Sequence, residues 1–105
     1  MMLNLTDENF HAERVKQGYL LVDFFGVWCP PCKAMNPILE KVEAEFPLIV
    51  FAKVNATENP ELSTEYRIQS IPFFILFKDG EVVDRWSGLT NYENFCGKLP
   101  EGGRG

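Results

Sequence analysis

Three short, almost entirely apolar runs divide the chain, at Tyr19–Phe25, residues 49–54 and residues 73–77. Each run is rich in aromatic or β-branched residues, which favour strands. A strand with one solvent-facing side would alternate between apolar and polar residues, so these continuous runs predict strands that are buried on both faces. The three runs are therefore expected to form the centre of a sheet.

The dipeptide Asp79-Gly80 separates the third apolar run from a further strand-like segment at Glu81–Ser87. Asp-Gly between two such segments is a strong hairpin signal, because both residues tolerate the positive φ angles of a tight two-residue turn. The last two strands are therefore predicted to be antiparallel neighbours.

Helical patterns occupy the segments between the strands. The clearest helix begins at a pair of cysteines, and apolar residues recur along one of its faces at i, i+3, i+4, i+7 and i+11: Met35, Ile38, Leu39, Val42 and Phe46. A short helix is predicted after Asn59, which suits an N-cap, with Pro60 at the first helical position. Residues 7–16 and 91–99 are also predicted to be helical. The order β-α-β-α-β-α-β-β-α predicts an α/β fold whose first three strands are parallel.

Length and charge narrow the possible classes of function. With 105 residues the chain is expected to form one domain, residues 1–99, followed by a loose tail at residues 100–105, where three of the six residues are glycine. The net charge is −5 and the basic residues are not clustered, so no nucleic-acid partner is expected. No apolar run approaches the roughly 20 residues of a membrane span, and no signal-peptide pattern is present, so no membrane partner is expected.

The segment VWCPPCKAM, residues 27–35, contains two of the three cysteines. If Cys29 is the N-cap, Pro30 and Pro31 occupy the first two helical positions, where a missing N–H does not weaken the helix, and Cys32 occupies the third. The partial positive charge at a helix N-terminus favours a thiolate at Cys29, the form that attacks disulfides. A C-x-x-C pair beside a βαβ pattern therefore predicts a redox motif.

The same pair could instead be an inert staple or half of a zinc site. A domain of this length does not need a disulfide staple, and one close pair with one stray thiol suits a reducing compartment, so a cytoplasmic protein is expected. Zinc prefers four ligands, and the chain offers only Cys96 and His11 besides the pair, so no metal is expected.

Three other residues are candidates for chemistry. Asp23 interrupts an apolar strand, so its carboxylate needs a partner or a proton, and a structural ion pair with Lys53 is as well supported by the residues alone as a catalytic role. Cys96 shares a predicted helical face with apolar residues and is interpreted as a small buried hydrophobe. His11 is expected to face solvent with nothing beside it that suggests a base or a ligand.

Three stretches, LVDFFGVWCPPCK, FAKVNATENP and IQSIPFFILFKDGEVV, resemble the thioredoxin family in order and spacing, and the resemblance covers nearly the whole chain. It implies a thioredoxin fold, with a mixed five-stranded sheet in the order 1-3-2-4-5 flanked by four helices. It also implies a protein-disulfide reductase, whose Cys29-Cys32 disulfide is redox-active and which needs no metal or organic cofactor. The implied partners are proteins that contain disulfides and a thioredoxin reductase, and the chain is expected to be a monomer.

The resemblance also implies a role for each matching residue. Cys29 would attack the substrate disulfide, and Cys32 would be the buried thiol that resolves the mixed disulfide. Asp23, with Lys53 as its partner, would assist proton transfer at Cys32. The residues that would support the active site are Trp28, Pro30, Pro31 and a cis Pro72. The residues that would line a substrate groove are Trp28, Ile71, Pro72, Gly88 and Leu89.

Two departures from the family pattern keep alternatives open. Pro30-Pro31 replaces the usual Gly-Pro and also resembles the exported TlpA- and ResA-like thiol-disulfide proteins, although residues 56–59 leave no room for the extra elements those proteins carry. Phe25 stands where a second tryptophan is common. The alternatives are an exported or oxidising thiol-disulfide protein and a binding module in which the cysteines are incidental.

Overall fold

Five strands form one mixed sheet in a computed structural model that describes residues 2–105. The order across the sheet is β1-β3-β2-β4-β5, as the family resemblance implied. The strands are Leu3–Asn4 (β1), Tyr19–Phe25 (β2), Ile49–Asn55 (β3), Phe73–Lys78 (β4) and Glu81–Ser87 (β5). The first three strands are parallel, and β4 and β5 are antiparallel to their neighbours, so both predictions of strand direction are confirmed.

The turn between β4 and β5 lies at the predicted dipeptide. Asp79 and Gly80 have φ angles of 51° and 86°. Two successive positive φ angles match the twist of a tight hairpin, which explains why Asp-Gly predicts this turn from sequence.

Four α-helices cover the sheet: Phe10–Arg14 (α1), Pro30–Glu45 (α2), Pro60–Glu65 (α3) and Tyr92–Gly97 (α4). The two faces of the sheet bury separate cores. One core packs α2 and α4 against the sheet and includes Leu21, Met35, Leu39, Phe51, Phe74 and Phe95. The other lies with α1 and α3 and includes Phe10, Leu20, Val22, Phe24, Leu62 and Ile75. Alternate residues of β2 therefore face opposite cores, which explains its continuous apolar run.

The first helix is shorter than the predicted residues 7–16. Asp7 lies outside it, and the Asp7 side chain accepts hydrogen bonds from the N-terminus of α3. The Asp7 carboxylate accepts hydrogen bonds from the backbone N–H groups of Glu61 and Leu62, at 3.4 and 3.0 Å. Asn59 holds the N-cap position of α3 as predicted, but its side chain bonds the Asp7 N–H and the Asn55 carbonyl instead. Asp7 therefore stabilises the helix terminus that Asn59 was predicted to cap.

Residues 100–105, which were predicted to be a loose tail, contact the core at Gly103. Glu101–Gly103 form a 3₁₀ turn, and the Gly103 carbonyl accepts a hydrogen bond from Leu48 N–H at 3.0 Å. Gly103 is buried so closely that a Cβ there would lie 2.5 Å from Ile49 Cγ1. Glycine at position 103 is therefore explained by the close approach of the backbone to the core, although the glycines of this segment predict a loose tail from sequence.

Cys96 is confirmed as a buried residue of the core beneath α4. None of the helices formed by residues 2–105 is long and apolar enough to cross a lipid bilayer.

Candidate active site

The cysteine pair lies where β2 ends and α2 begins. Cys29 is the N-cap of α2 in an extended conformation, followed by the two prolines and then by Cys32, as the sequence predicted. The two cysteines form a disulfide, and Cys32 N–H lies 3.2 Å from Cys29 Sγ. Pro30 and Pro31 have no N–H, so Cys32 supplies the backbone donor that the first three helical positions offer to this sulfur.

Exposure does not distinguish the two cysteines in the disulfide form. Cys29 is 5% exposed and Cys32 is 4% exposed, so Cys29 is as buried as Cys32, the thiol that the resemblance implied to be buried. Their surroundings do differ. Cys32 lines a cavity of about 220 Å³ together with Lys33, Asn36 and Lys53. Cys29 instead lies beside Trp28, which is 92% exposed.

Trp28 and Ile71, two of the residues implied to line a substrate groove, share one depression. It has a volume of about 320 Å³, and Val27, Thr57 and Glu58 are also part of its lining. An exposed indole beside an aliphatic side chain provides apolar surface on which a protein segment can pack. The structure therefore brings this part of the expected groove together.

Two of the remaining groove residues, Pro72 and Gly88, meet at a cis peptide bond. Ile71-Pro72 is cis, as the resemblance implied, and the Pro72 carbonyl accepts a hydrogen bond from Gly88 N–H at 2.9 Å. Gly88 has a φ of 97°, a conformation that favours glycine. Leu89, the next residue, is exposed.

Sequence reasoning missed Gly26, which precedes the cysteine motif. A Cβ at this position would lie 2.6 Å from Ile71 Cδ1 and 3.8 Å from Cys29 Cβ. Gly26 thus lets the Ile71 side chain lie close to the cysteine. The signal in the sequence was a glycine between a buried strand and the cysteine motif, where a close approach to the backbone is common.

Asp23 is confirmed as a buried carboxyl group and is 2% exposed. Alternate residues of a strand share a face, so Asp23 faces the same side of the sheet as Leu21, which packs in the core with Met35 of α2. Burial raises the pKa of Asp23 from 3.8 to about 7, and the positive charge of Lys53 lowers it in part. The carboxyl group therefore gains and loses a proton near neutral pH.

Lys53 is the neighbour of Asp23 across the parallel strands β2 and β3, but its ammonium group bonds elsewhere. Lys53 Nζ donates to Asn36 Oδ1 at 2.8 Å and lies 5.4 Å from the centre of the Phe25 ring. Among the described residues, nothing forms a hydrogen bond with Asp23 Oδ1. Asn36, which sequence reasoning also missed, is thus part of the surroundings of Lys53.

His11 has two polar neighbours that the sequence did not indicate. Its Nδ1 lies 2.9 Å from Arg14 Nε, and its Nε2 lies 2.8 Å from Glu65 Oε1. The network joins α1 to α3 on the exposed surface. Across residues 2–105, no group of three or more His, Cys, Asp or Glu side chains is arranged to hold a metal ion.

Comparisons with known proteins agree over nearly the full length of the chain. A family model described as Thioredoxin matches residues 1–100. The chain is 42% identical over 94 residues to a thioredoxin of Chlamydia caviae, and the alignment spans 90% of this chain and 91% of that protein. A solved structure of Plasmodium falciparum thioredoxin matches with a TM-score of 0.86 and 28% identity, covering 94% of this chain and all of that one. The oxidised mitochondrial thioredoxin 3 of Saccharomyces cerevisiae matches with a TM-score of 0.84 and 30% identity, covering 91% and 92% of the two chains.

Proposed function

The chain belongs to the thioredoxin family and is a thiol-disulfide oxidoreductase that reduces protein disulfides, and on that premise we propose a role for each residue of its site. Cys29 is the attacking nucleophile and Cys32 is the resolving thiol. The observation that carries this assignment is the position of Cys29 Sγ at the N-terminus of α2, where it accepts the Cys32 N–H. In the reduced protein the same N–H and the helix dipole favour a thiolate at Cys29.

The reaction consists of two thiol-disulfide exchanges. The Cys29 thiolate attacks one sulfur of the substrate disulfide, forms a mixed disulfide and expels the other substrate sulfur as a thiolate. The Cys32 thiolate then attacks Cys29 Sγ, closes the Cys29–Cys32 disulfide and expels the second substrate thiolate. Two electrons pass from the dithiol to the substrate, and both substrate thiolates take up protons. The cysteine pair carries the electrons, so the reaction needs no cofactor.

Asp23 is the general base for the second exchange. Cys32 must lose its proton before it attacks, and a base is most effective when its pKa lies near the working pH. The raised pKa of Asp23, and its place on the sheet face beneath α2, support this role. Lys53 supports it by favouring the ionised form of the carboxyl group.

Protein substrates bind across the apolar surface beside Cys29. Trp28 and Ile71 form one side of this groove, and Pro72, Gly88 and Leu89 form the other. The exposure of Trp28, with its indole facing solvent, supports this assignment, because a large exposed apolar side chain commonly marks a contact site. Pro30 and Pro31 support the site by holding the start of α2 without competing for the Cys29 sulfur.

Membership of the thioredoxin family supports the choice of partners. A thioredoxin reductase restores the dithiol by supplying two electrons, and the chain acts as a monomer in the cytoplasm, where the thiols stay reduced between reactions. The net charge of −5, with no cluster of basic residues, supports protein partners over nucleic acid.

Reduction of a peptide that contains one disulfide tests the proposal, with dithiothreitol as the electron source and released thiols as the measurement. Cys29→Ser is expected to abolish the reaction above the rate of dithiothreitol alone. Cys96→Ala is the matched control and should retain full activity, because Cys96 is a free thiol that lines neither the Cys32 cavity nor the Trp28 depression. Full activity of Cys29→Ser would contradict the proposal and would favour a binding module with incidental cysteines.

A further inference from the structure

The Lys53 ammonium group could lie towards Asp23 or towards the acidic residues Glu40 and Glu43, which line a cavity with it. Its neighbour across the sheet is Asp23, which is buried. In the structure, Lys53 Nζ instead donates to Asn36 Oδ1 at 2.8 Å. Asn36 lies on α2, one helical turn after Cys32, so this bond joins β3 to the helix that carries the redox pair.

The side chains around this bond differ on its two sides. On one side, Asn36 and Lys53 line the cavity of about 220 Å³ that they share with Cys32. On the other, they line a cavity of about 470 Å³ together with Glu40 and Glu43. Asn36 thus lies at the boundary between the region beside the redox pair and an acidic groove.

We propose that Asn36 is a positioning residue, which holds the Lys53 ammonium group beside the Cys32 cavity so that its charge favours the ionised form of Asp23. The inference rests on the role of Asp23 given under the proposed function. It extends that role to a residue that does not touch the reacting atoms.

The alternative position for the ammonium group explains why an anchor is needed. Burial raises the pKa of Asp23 to about 7, so near neutral pH the carboxyl group carries less than a full negative charge and attracts Lys53 less strongly than an ionised carboxylate would. The exposed carboxylate of Glu40 borders the same groove as Lys53 and attracts its positive charge. Without Asn36, the flexible lysine side chain is therefore expected to turn towards the acidic groove and solvent, away from Asp23.

Few other charged groups face Asp23. On β4 its neighbour is Phe74. On α2, the cavity that Lys53 lines also contains Cys32 and Lys33, and the Lys33 ammonium group lies 6.0 Å from the centre of the Trp28 ring. On the same side of the sheet, α4 contributes Tyr92 and Cys96 to the core. Among the described residues, it is the charge of Lys53 that opposes the effect of burial on the pKa of Asp23.

The test measures the pKa of Asp23 by carbon NMR titration of its carboxyl group in the oxidised protein. In this form Cys29 and Cys32 are joined in a disulfide and do not titrate, so the curve reports Asp23 without coupling to a thiol. Asn36→Ala is expected to raise the pKa of Asp23. It should also slow the release of reduced substrate from the mixed disulfide roughly twofold near pH 7, with the rate recovering at higher pH. Asn94→Ala removes an exposed asparagine on α4 and should change neither quantity.

A second background shows whether Asn36 acts through Lys53. In Lys53→Met, the further change Asn36→Ala should leave the pKa of Asp23 unaltered. An unchanged or lowered pKa in Asn36→Ala alone, or a rise that persists in the Lys53→Met background, overturns the inference. Either result leaves the proposed function intact if Cys29→Ser is inactive, so the two failures can be told apart.

Discussion

Asp23 and Lys53 lie directly opposite each other on neighbouring parallel strands, yet the Lys53 ammonium group donates its hydrogen bond to Asn36. Asp23 is a buried carboxyl group whose Oδ1 has no hydrogen-bond partner among the described residues, so Lys53 acts on it through its charge and not through a hydrogen bond to that oxygen. A satisfied ion pair would hold the carboxyl group ionised. The observed arrangement leaves its protonation sensitive to pH near neutrality, which suits a base and reduces the stability of the folded protein.

The effect of Asp23 on stability should depend on pH. The ordinary pKa of an aspartate side chain, which applies to the unfolded chain, is 3.8, and the pKa of Asp23 in the folded protein is about 7. Between these values the folded protein holds a proton that the unfolded chain has lost, so the free energy of unfolding falls as the pH rises. Asp23→Asn removes this ionisation and is expected to raise the free energy of unfolding by about 2–4 kcal/mol at pH 8. Urea unfolding at pH 8 and pH 4 measures the effect, and an equal gain at both pH values would contradict it.

The same substitution should slow catalysis. The side-chain amide that Asp23→Asn introduces cannot accept the Cys32 proton, so release of substrate from the mixed disulfide should be roughly 10-fold or more slower near pH 7. The loss should shrink as the pH rises and Cys32 ionises without help. Stopped-flow measurement from pH 6 to pH 9 follows this step. A variant that reacts as fast as the parent across that range would show that Asp23 takes no part in catalysis.

Cys32→Ser should trap partner proteins. Cys29 can still form the mixed disulfide, but no thiolate remains to displace the bound partner. Incubation with a disulfide-containing protein, followed by non-reducing gel electrophoresis, should show a covalent complex that dithiothreitol dissolves. The Cys96→Ala background removes the remaining thiol as a source of such complexes. A complex that forms equally well with Cys29→Ser would contradict the assignment of Cys29 as the attacking thiol.

Gly88 should be sensitive to substitution for a conformational reason. Its φ of 97° is unfavourable for residues with a Cβ, although space is available, so Gly88→Ala should destabilise the fold by about 1 kcal/mol. The matched control is Gly97→Ala, because Gly97 also has open space around it but lies in α4 without a positive φ. That variant should be as stable as the parent or more stable. Thermal unfolding of both proteins compares them, and equal losses would point to a cause other than φ.

Removal of residues 101–105 should destabilise the protein. The deletion uncovers Phe46 and Ile49, which are otherwise buried, and removes the bond between Leu48 N–H and the Gly103 carbonyl. The expected loss is about 1–3 kcal/mol, in proportion to the apolar area that becomes exposed. Glu101→Ala is the control, because its ion pair with Arg104 lies at the surface and should contribute little. If the truncated chain has the same urea midpoint as the full chain, the result would support the prediction that these residues form a loose tail.

Local sequence determined the elements whose stability depends on residues a few positions apart. Asp79-Gly80 predicted the hairpin because both residues accept positive φ angles, and the prolines after Cys29 predicted the start of α2 because neither needs a donor there. The continuous apolar runs predicted the central strands because both faces of this sheet are covered. The resemblance to the thioredoxin family then supplied the order of the strands and the cis Pro72, which periodicity alone does not give.

Tertiary structure decided the contacts between residues far apart in the chain. Asp7 reaches the N-terminus of α3, Gly103 closes against Ile49, and Lys53 bonds Asn36 although Asp23 is its neighbour across the sheet. Each of these depends on strand register, on the packing of a helix over the sheet, or on which of several acceptors a flexible side chain can reach. Propensity and periodicity describe a residue and its immediate neighbours. They could therefore identify Asp23 as a buried carboxyl group and Lys53 as a candidate partner, but not the strand register that places the two opposite each other or the bond of Lys53 to Asn36.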